Sequence, residues 1–524
     1  MFRNNHAEPT ERSVAVIGRR SMLGVLATAA GLNISPAAAA VGTTTLTFLH
    51  FNDVYRHGPK DEFGGLAELM TLIESERALA RGPVFQTFGG DVLSPSITSS
   101  VTQGAHMIAL LNAMGTEVAV LGNHEFDFGS DVAAARMGEA QFPWLGANVV
   151  GDDGKLFGGA VATIMREADG LRVGFVGVLT QDTARLAPHA DGITFTDEET
   201  ALRDGAAALR RDGADIVVAL THQDLAADVR MARSVPGIDL VLGGHDHEPA
   251  EFQSSPGVPV LKAASDGRWL AVAQLLITRP DRAAGTPALV RAVGWKLVPN
   301  IDLAPSERIA PLIASIDGQI AGILTQPLTR LASPLDSRTT IVRSQEAALG
   351  NLVADALRAY FQADVALFNG GALRGDRLYP AGTVLTRRDL MAEMPFGNAV
   401  EMLEVSGATL VQALEYGLSG IEEDAGRFPQ VSGVHFTFDP AAAPGYRLGA
   451  VTINGAPVAL ERHYRLATTD YLAAGGDGYA MLKVARVLVD SSGGPLLVNV
   501  TAESIPAGVD LAVAVGGRAT AHRR

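Results

Sequence analysis

The chain is 524 residues long, with 47% hydrophobic, 19% charged and 6% aromatic residues, a composition that buries a large core and excludes a disordered or low-complexity chain. A formal net charge of -15 argues against a nucleic-acid polymer or an anionic membrane surface as the main partner. Cysteine is absent, which excludes disulfides, thiolate metal sites and cysteine nucleophiles together, so any metal must sit on oxygen and nitrogen ligands.

At the N-terminus Arg19 and Arg20 precede a mildly apolar, alanine-rich run to Ile34 and the small residues Pro36 to Ala40. Residues 1–40 read as a twin-arginine export signal, too short for a stable membrane anchor, and imply a periplasmic or secreted protein. An exposed helix with two chance arginines is the competing reading. From Leu46 to Pro299 short apolar runs alternate with helix-like stretches. The runs Leu46 to Phe51, Val84 to Phe88, Val118 to Leu121, Val173 to Leu179, Ile216 to Leu220 and Leu240 to Leu242 predict buried strands of an α/β domain. Leu66 to Leu79 and Thr200 to Arg211 carry apolar residues at helical spacing. Ala304 to Leu324 predicts a long helix leading out of that domain, opened by Pro305-Ser306-Glu307 and followed by Pro327 and Pro334. Beyond it, a helix over Leu349 to Tyr360, a strand over Ala366 to Phe368 and Gly-rich turns fit a second α/β domain, with a frayed end from Gly516.

The first-domain strands end in residues that can bind metals: Asn52-Asp53-Val54-Tyr55, Gly90-Asp91, Gly122-Asn123-His124-Glu125, Thr221-His222 and Gly244-His245-Asp246-His247. Open α/β sheets place their sites at the carboxyl ends of strands, so loops spanning almost two hundred residues can converge. Alone, Asp53 reads as a turn cap and His222 as a core histidine; five such loops in one domain read as a site. Carboxylate, amide and imidazole donors suit Mn, Zn, Fe or Mg. An aspartate between two such ions has an oxygen for each, an arrangement that clamps a phosphoryl group and activates water.

These motifs resemble the signature of calcineurin-like dinuclear metallophosphatases. The second half resembles the 5'-nucleotidase and UDP-sugar hydrolase branch through Glu346-Ala347-Ala348-Leu349-Gly350-Asn351, Asn369-Gly370-Gly371-Ala372-Leu373-Arg374, Pro395-Phe396-Gly397-Asn398 and Gly475-Gly476-Asp477-Gly478-Tyr479. The resemblance runs from about residue 45 to 490. It implies a four-layer α/β/β/α metallophosphatase domain over residues 41–303, a linker helix and linker over 304–335, an α/β substrate-binding domain over 336–510 and a tail over 511–524. It also implies two divalent ions, Asp53, Asp91 and His247 holding one and Asp91, Asn123, His222 and His245 the other. His124 would stabilise the transition state, oriented by Asp127. Arg343, Asn369 and Arg374 would hold the substrate, Phe428 and Tyr471 would sandwich a nucleobase, and Asp477 would contact the ribose. The implied protein is an exported monomeric hydrolase of small nucleotides or nucleotide-sugars, 2',3'-cyclic nucleotides among them.

One position departs from the pattern. The first motif usually reads Asp-x-His, whereas Tyr55 stands third here and His57 lies two residues on. A phenol with an ordinary pKa near 10 is a poor ligand for Zn or Mn, although trivalent iron holds it as phenolate. Tyr55 also favours the competing reading, a catalytically weak nucleotide-binding protein, which the presence of every other ligand opposes.

Overall fold

The computed structural model describes residues 42–187, 190–253, 257–491 and 494–522; the twin-arginine segment lies outside these residues. The chain divides into two compact units, one formed by residues up to Ser94 with Thr102–Ile316, the other by Pro95–Val101 with Asp317–Arg524.

The first unit holds two six-stranded sheets. In spatial order one consists of Leu289–Pro299, Trp269–Thr278, Thr43–Phe51, Val84–Phe88, Val118–Val120 and Trp144–Leu145, with the last four strands parallel. The other runs Pro249–Phe252, Val260–Ala263, Leu240–Gly244, Ile216–His222, Leu171–Leu179 and Thr163–Ala168, parallel in its middle four strands. Their inner faces meet through aromatic side chains. Phe175 of the second sheet packs edge-on against Phe48 and Phe85 of the first, with ring centroids 6.2 and 5.5 Å away. Such pairs contribute about 0.5–1.5 kcal/mol each beyond the area they bury. Helix Leu66–Leu79 packs on the outer face of the first sheet, and helices Glu198–Arg211 and Leu225–Ser234 pack on the second, giving the four layers.

The six apolar runs and the helices Leu66–Leu79 and Glu198–Arg211 fall close to where hydrophobic periodicity places them, the first helix at the same residues, whereas the parallel strands Trp144–Leu145 and Val260–Ala263 are not among those runs. Periodicity does not mark the two long antiparallel strands Trp269–Thr278 and Leu289–Pro299. The latter carries mostly half-buried residues, as an edge strand does, and lacks the continuous apolar run that marks a buried one. Helix Ala310–Leu324 carries the boundary between the units.

The second unit contains a five-stranded sheet, ordered Pro429–Ser432, Val365–Asn369, His463–Thr469, Val400–Ser406 and Arg486–Val489, and a four-stranded one that ends on Ala519–Ala521. That last strand corrects the expectation of a frayed end: it pairs parallel with Val434–Phe438. The Glu346 carboxylate accepts the backbone N–H groups of Gly516 and Arg518 at 2.7 and 2.8 Å and the Asn351 side-chain amide at 2.7 Å. Arg518 donates two hydrogen bonds to Asp355, both 2.8 Å long. The Glu346 to Asn351 motif is thus a clamp on the tail. Among the described residues no helix is long and apolar enough to cross a membrane.

Candidate active site

The strand ends of the first unit converge as the motifs predict, and the backbone is bent to achieve it. Asp53, Asp91 and His245 adopt φ of 53°, 64° and 80°, a left-handed conformation that non-glycine residues enter at a cost repaid by surrounding structure. The surroundings are specific. Asp53 N–H donates to Gly90 O and Val54 N–H to Asp91 O, both at 2.9 Å. Glu125 accepts the N–H groups of Gly122, Asp91 and Val92 at 2.6, 3.0 and 2.8 Å, fixing the Asp91 loop from behind. A Cβ on Gly122 would lie 2.2 Å from Asp91 Oδ1, and one on Gly244 would lie 2.3 Å from Gly89 O. Only glycine admits the close approach of these loops.

Two groups of donor atoms share one oxygen, Asp91 Oδ2. On one side, Tyr55 Oη lies 3.1 Å from Asp91 Oδ2, 3.3 Å from Asp53 Oδ1 and 2.8 Å from His247 Nε2, and His247 Nε2 lies 3.6 Å from Asp53 Oδ1. On the other, His222 Nε2 lies 3.1 Å from both Asp91 Oδ2 and Asn123 Oδ1, and His245 Nδ1 lies 3.1 Å from Asn123 Oδ1. His222 Nδ1–H donates to Gly89 O at 2.7 Å, which aims Nε2 at the shared carboxylate.

The buried carboxylates and imidazoles of this cluster shift one another's protonation. Burial by itself would raise the Asp91 pKa, but His222 and His124 hold it well below the usual carboxylate range. Burial would lower both histidines; Asp91 instead lifts His222 to about 9, and Asp127 with Asp91 lifts His124 to about 10. Burial and the neighbouring His222 push His245 down to about 4. For Tyr55, burial and then the charges of Asp91 and Asp53 hold the phenol well above its ordinary value. Asp53, Asp91 and His222 place ligand atoms within 4.8 Å of one another, a group able to hold a metal ion. The hard oxygen and imidazole donor set fits Zn, Mn, Fe or Mg.

His124 stands beside the cluster. Its N–H donates to Asp91 Oδ1 at 2.8 Å and its Nδ1 pairs with Asp127 Oδ2 at 2.7 Å, while the buried Nε2 has no hydrogen-bond partner among the described residues. Lys262 is a supporting residue that sequence reasoning missed. Fully buried, its ammonium contacts Asp228 at 3.0 Å, Gly244 O at 2.8 Å and Asp246, tying together the loops of His222 and His245. An apolar-looking strand, Val260–Ala263, conceals it. The His57 ring packs against His106, centroids 5.6 Å apart.

A buried histidine behind the site makes folding pH-dependent. His50 Nε2–H donates to Gly243 O at 3.1 Å and Nδ1 faces Thr87 Oγ1 at 2.9 Å. Burial, partly offset by the Gly243 carbonyl, pushes its pKa from 6.5 to about 4. Between those values the unfolded chain takes up a proton that the folded chain refuses, so stability falls as pH drops through that window. The expected loss from His50 between pH 7 and 5 is about 2 kcal/mol. Chemical denaturation of wild type and His50→Gln at both pH values checks this; an unchanged difference in the variant would contradict it.

The second unit has a pocket of about 340 Å³ lined by Arg343, Asn369, Arg374, Phe396, Tyr471 and Asp477, among others. Asn369 and Tyr471 donate to the Asp477 carboxylate at 2.8 and 2.9 Å. Gly476 makes this geometry possible, since a Cβ there would lie 2.6 Å from the Tyr471 ring. Arg343 Nε is buried without a hydrogen-bond partner among the described residues. Phe428 is a correction. It is 1% exposed, packs in the core with its ring 6.1 Å from Phe438, and does not line the pocket. The exposed aromatic that joins Tyr471 in the lining is Phe396, 60% exposed with the Arg374 guanidinium 5.4 Å from its ring. Phe396 lies inside the Pro395 to Asn398 motif, whereas Phe428 lies in none of the four; that was the available signal.

The first unit is therefore a metallophosphoesterase of the calcineurin-like class: residues 46–249 match the calcineurin-like phosphoesterase family. Residues 321–484 match the 5'-nucleotidase C-terminal domain. With both domains present in that order, the chain belongs to the 5'-nucleotidase family of calcineurin-like phosphoesterases, and it is a hydrolase. It is 28% identical over 500 residues to a snake venom 5'-nucleotidase of Crotalus adamanteus, covering 85% of this chain and 84% of that protein. The 5'-nucleotidase precursor of Thermus thermophilus is 25% identical, with a TM-score of 0.55 over 92% of this chain and 100% of the other. The NAD nucleotidase of Haemophilus influenzae has the same fold, with a TM-score of 0.77 at 18% identity over 92% of this chain and 100% of the other.

Proposed function

We propose that the chain is an exported 5'-nucleotidase that removes phosphate from nucleoside 5'-monophosphates, with two metal ions in the first unit and the nucleoside held by the pocket of the second. The observation that carries this reading is Asp91 Oδ2, which belongs to both donor groups at once. Asp53, Asp91 and His247 would hold one ion, and Asp91, Asn123, His222 and His245 the other. When bound, such ions neutralise phosphate charge and acidify the attacking water. His124 contributes a hydrogen bond from its unpartnered Nε2 to a phosphate oxygen, and Asp127 holds the ring so that Nε2 points there. Arg343, Asn369, Arg374 and Asp477 orient the nucleoside, and Phe396 with Tyr471 offer it flat faces. Residues 1–40 direct export; replacing both Arg19 and Arg20 with lysine should trap the precursor inside the cell.

Two variants test the assignment of the base. Stacking of a base on an aromatic ring contributes about 1–3 kcal/mol, so Phe396→Ala should lower kcat/KM for a nucleoside 5'-monophosphate roughly 5- to 150-fold. Hydrolysis of p-nitrophenyl phosphate, which has no base, should stay near the wild-type rate. Phe428→Ala should instead destabilise the second unit by about 3–5 kcal/mol, as loss of a core phenylalanine does. Unchanged nucleotide turnover in Phe396→Ala would reduce the reading to an unspecific phosphoesterase. A phosphate-release panel including UDP-sugars and 2',3'-cyclic nucleotides ranks the substrates.

A further inference from the structure

We infer that Tyr55 is itself a metal ligand and that it makes the ion held with Asp53, Asp91 and His247 a trivalent one, ferric iron. The inference rests on reading that cluster as a metal site. Its support is the spacing of the donor atoms. Around an ion with bonds of about 2.1 Å, neighbouring donors lie roughly 3.0 Å apart in octahedral geometry and roughly 3.4 Å apart in tetrahedral geometry. Tyr55 Oη lies 2.8, 3.1 and 3.3 Å from His247 Nε2, Asp91 Oδ2 and Asp53 Oδ1. These hydrogen-bond distances, with the 3.6 Å between His247 Nε2 and Asp53 Oδ1, are close to the edge lengths of one coordination shell in which the phenol oxygen would take a vertex.

The ring is held in that direction. Its edge contacts are the rings of His124 and His247, with centroids 5.4 and 5.3 Å away, and its backbone N–H donates to Asp266 Oδ1 at 3.1 Å. The side chain is 8% exposed, so no rotation to solvent takes the oxygen out of the cluster without emptying a packed position. Coordination releases the phenolic proton to solvent and leaves two carboxylates and one phenolate on the same ion. Three hard anionic oxygens match a hard trivalent cation better than zinc or manganese in the divalent state. Where histidine is the usual third residue of this motif, a neutral nitrogen donor leaves two anionic oxygens and a divalent match. Tyr55 therefore changes the metal preference of one half of the centre and leaves the half formed by Asn123, His222 and His245 divalent.

The test uses the purified chain, stripped with a chelator and loaded in parallel with ferric nitrilotriacetate, zinc and manganese, followed by visible spectroscopy and elemental analysis. Ferric loading of wild type should give a phenolate-to-iron charge-transfer band in the visible range, and the zinc and manganese forms should be colourless. Tyr55→Phe and Tyr55→His should both lack the band. Tyr55→Phe should retain iron relative to zinc at least about tenfold less well than wild type, the lower end of what disturbing a metal's ligand shell costs in affinity. A wild-type protein that retains zinc but binds ferric iron without a band, or not at all, overturns this inference and leaves the metal site standing. A protein that retains no ion overturns both.

Discussion

Replacing Asp91 with asparagine should lower kcat/KM for any phosphate ester at least about a thousandfold, since the loss of a shared ligand removes several kcal/mol of charge stabilisation. Asparagine is the informative choice. Asp91 sits at φ 64°, where asparagine is among the few tolerated side chains and alanine adds backbone strain. The amide keeps the volume and retains an oxygen for the His124 N–H that Asp91 Oδ1 now accepts at 2.8 Å. What changes is the anionic oxygen common to both donor groups. Asp53→Asn removes an anionic oxygen beside Tyr55 and His247 and leaves an amide oxygen for the His245 backbone N–H that Asp53 now accepts, so its effect should be smaller in both activity and retained metal. Equal and mild losses in the two variants would contradict a shared ligand.

The second large effect is expected at His124. His124→Ala should reduce kcat about a hundred- to ten-thousandfold for nucleotide and p-nitrophenyl phosphate alike, the range for a positioned acid or hydrogen-bond donor. Metal content should be unchanged, because His124 Nδ1 is engaged by Asp127 and Nε2 has no partner in either donor group. Asp127→Asn keeps the imidazole but weakens its orientation, and should cost about 10- to 100-fold. If His124→Ala loses metal in step with activity, the residue supports the centre's structure and does not act on the phosphate.

Much of the site was legible because its residues follow buried strands. Hydrophobic runs locate the strands, parallel pairing sends their carboxyl ends to one side, and the polar residues after Phe88, Val120 and Leu242 must then converge. The left-handed backbone at Asp53, Asp91 and His245 was not legible, since neither aspartate nor histidine advertises a positive φ as glycine does. Lys262 was hidden because a buried charge depends on partners far along the chain, Asp228 and Asp246, which no local pattern reveals. Phe428 was assigned to the base through the resemblance alone, and its burial depends on Phe438 and the core around it, which no local pattern reveals. The tail escaped because its order comes from Glu346 and Asp355, far upstream in the chain.

The most direct measurement of the central claim is phosphate release from a nucleoside 5'-monophosphate by the purified chain before chelation, after chelation and after return of metal. Metal-dependent hydrolysis centred on Asp91 predicts turnover, its loss on chelation, its recovery on metal addition, and no recovery in Asp91→Asn. Turnover that survives complete removal of metal, or wild-type turnover in metal-loaded Asp91→Asn, would contradict it.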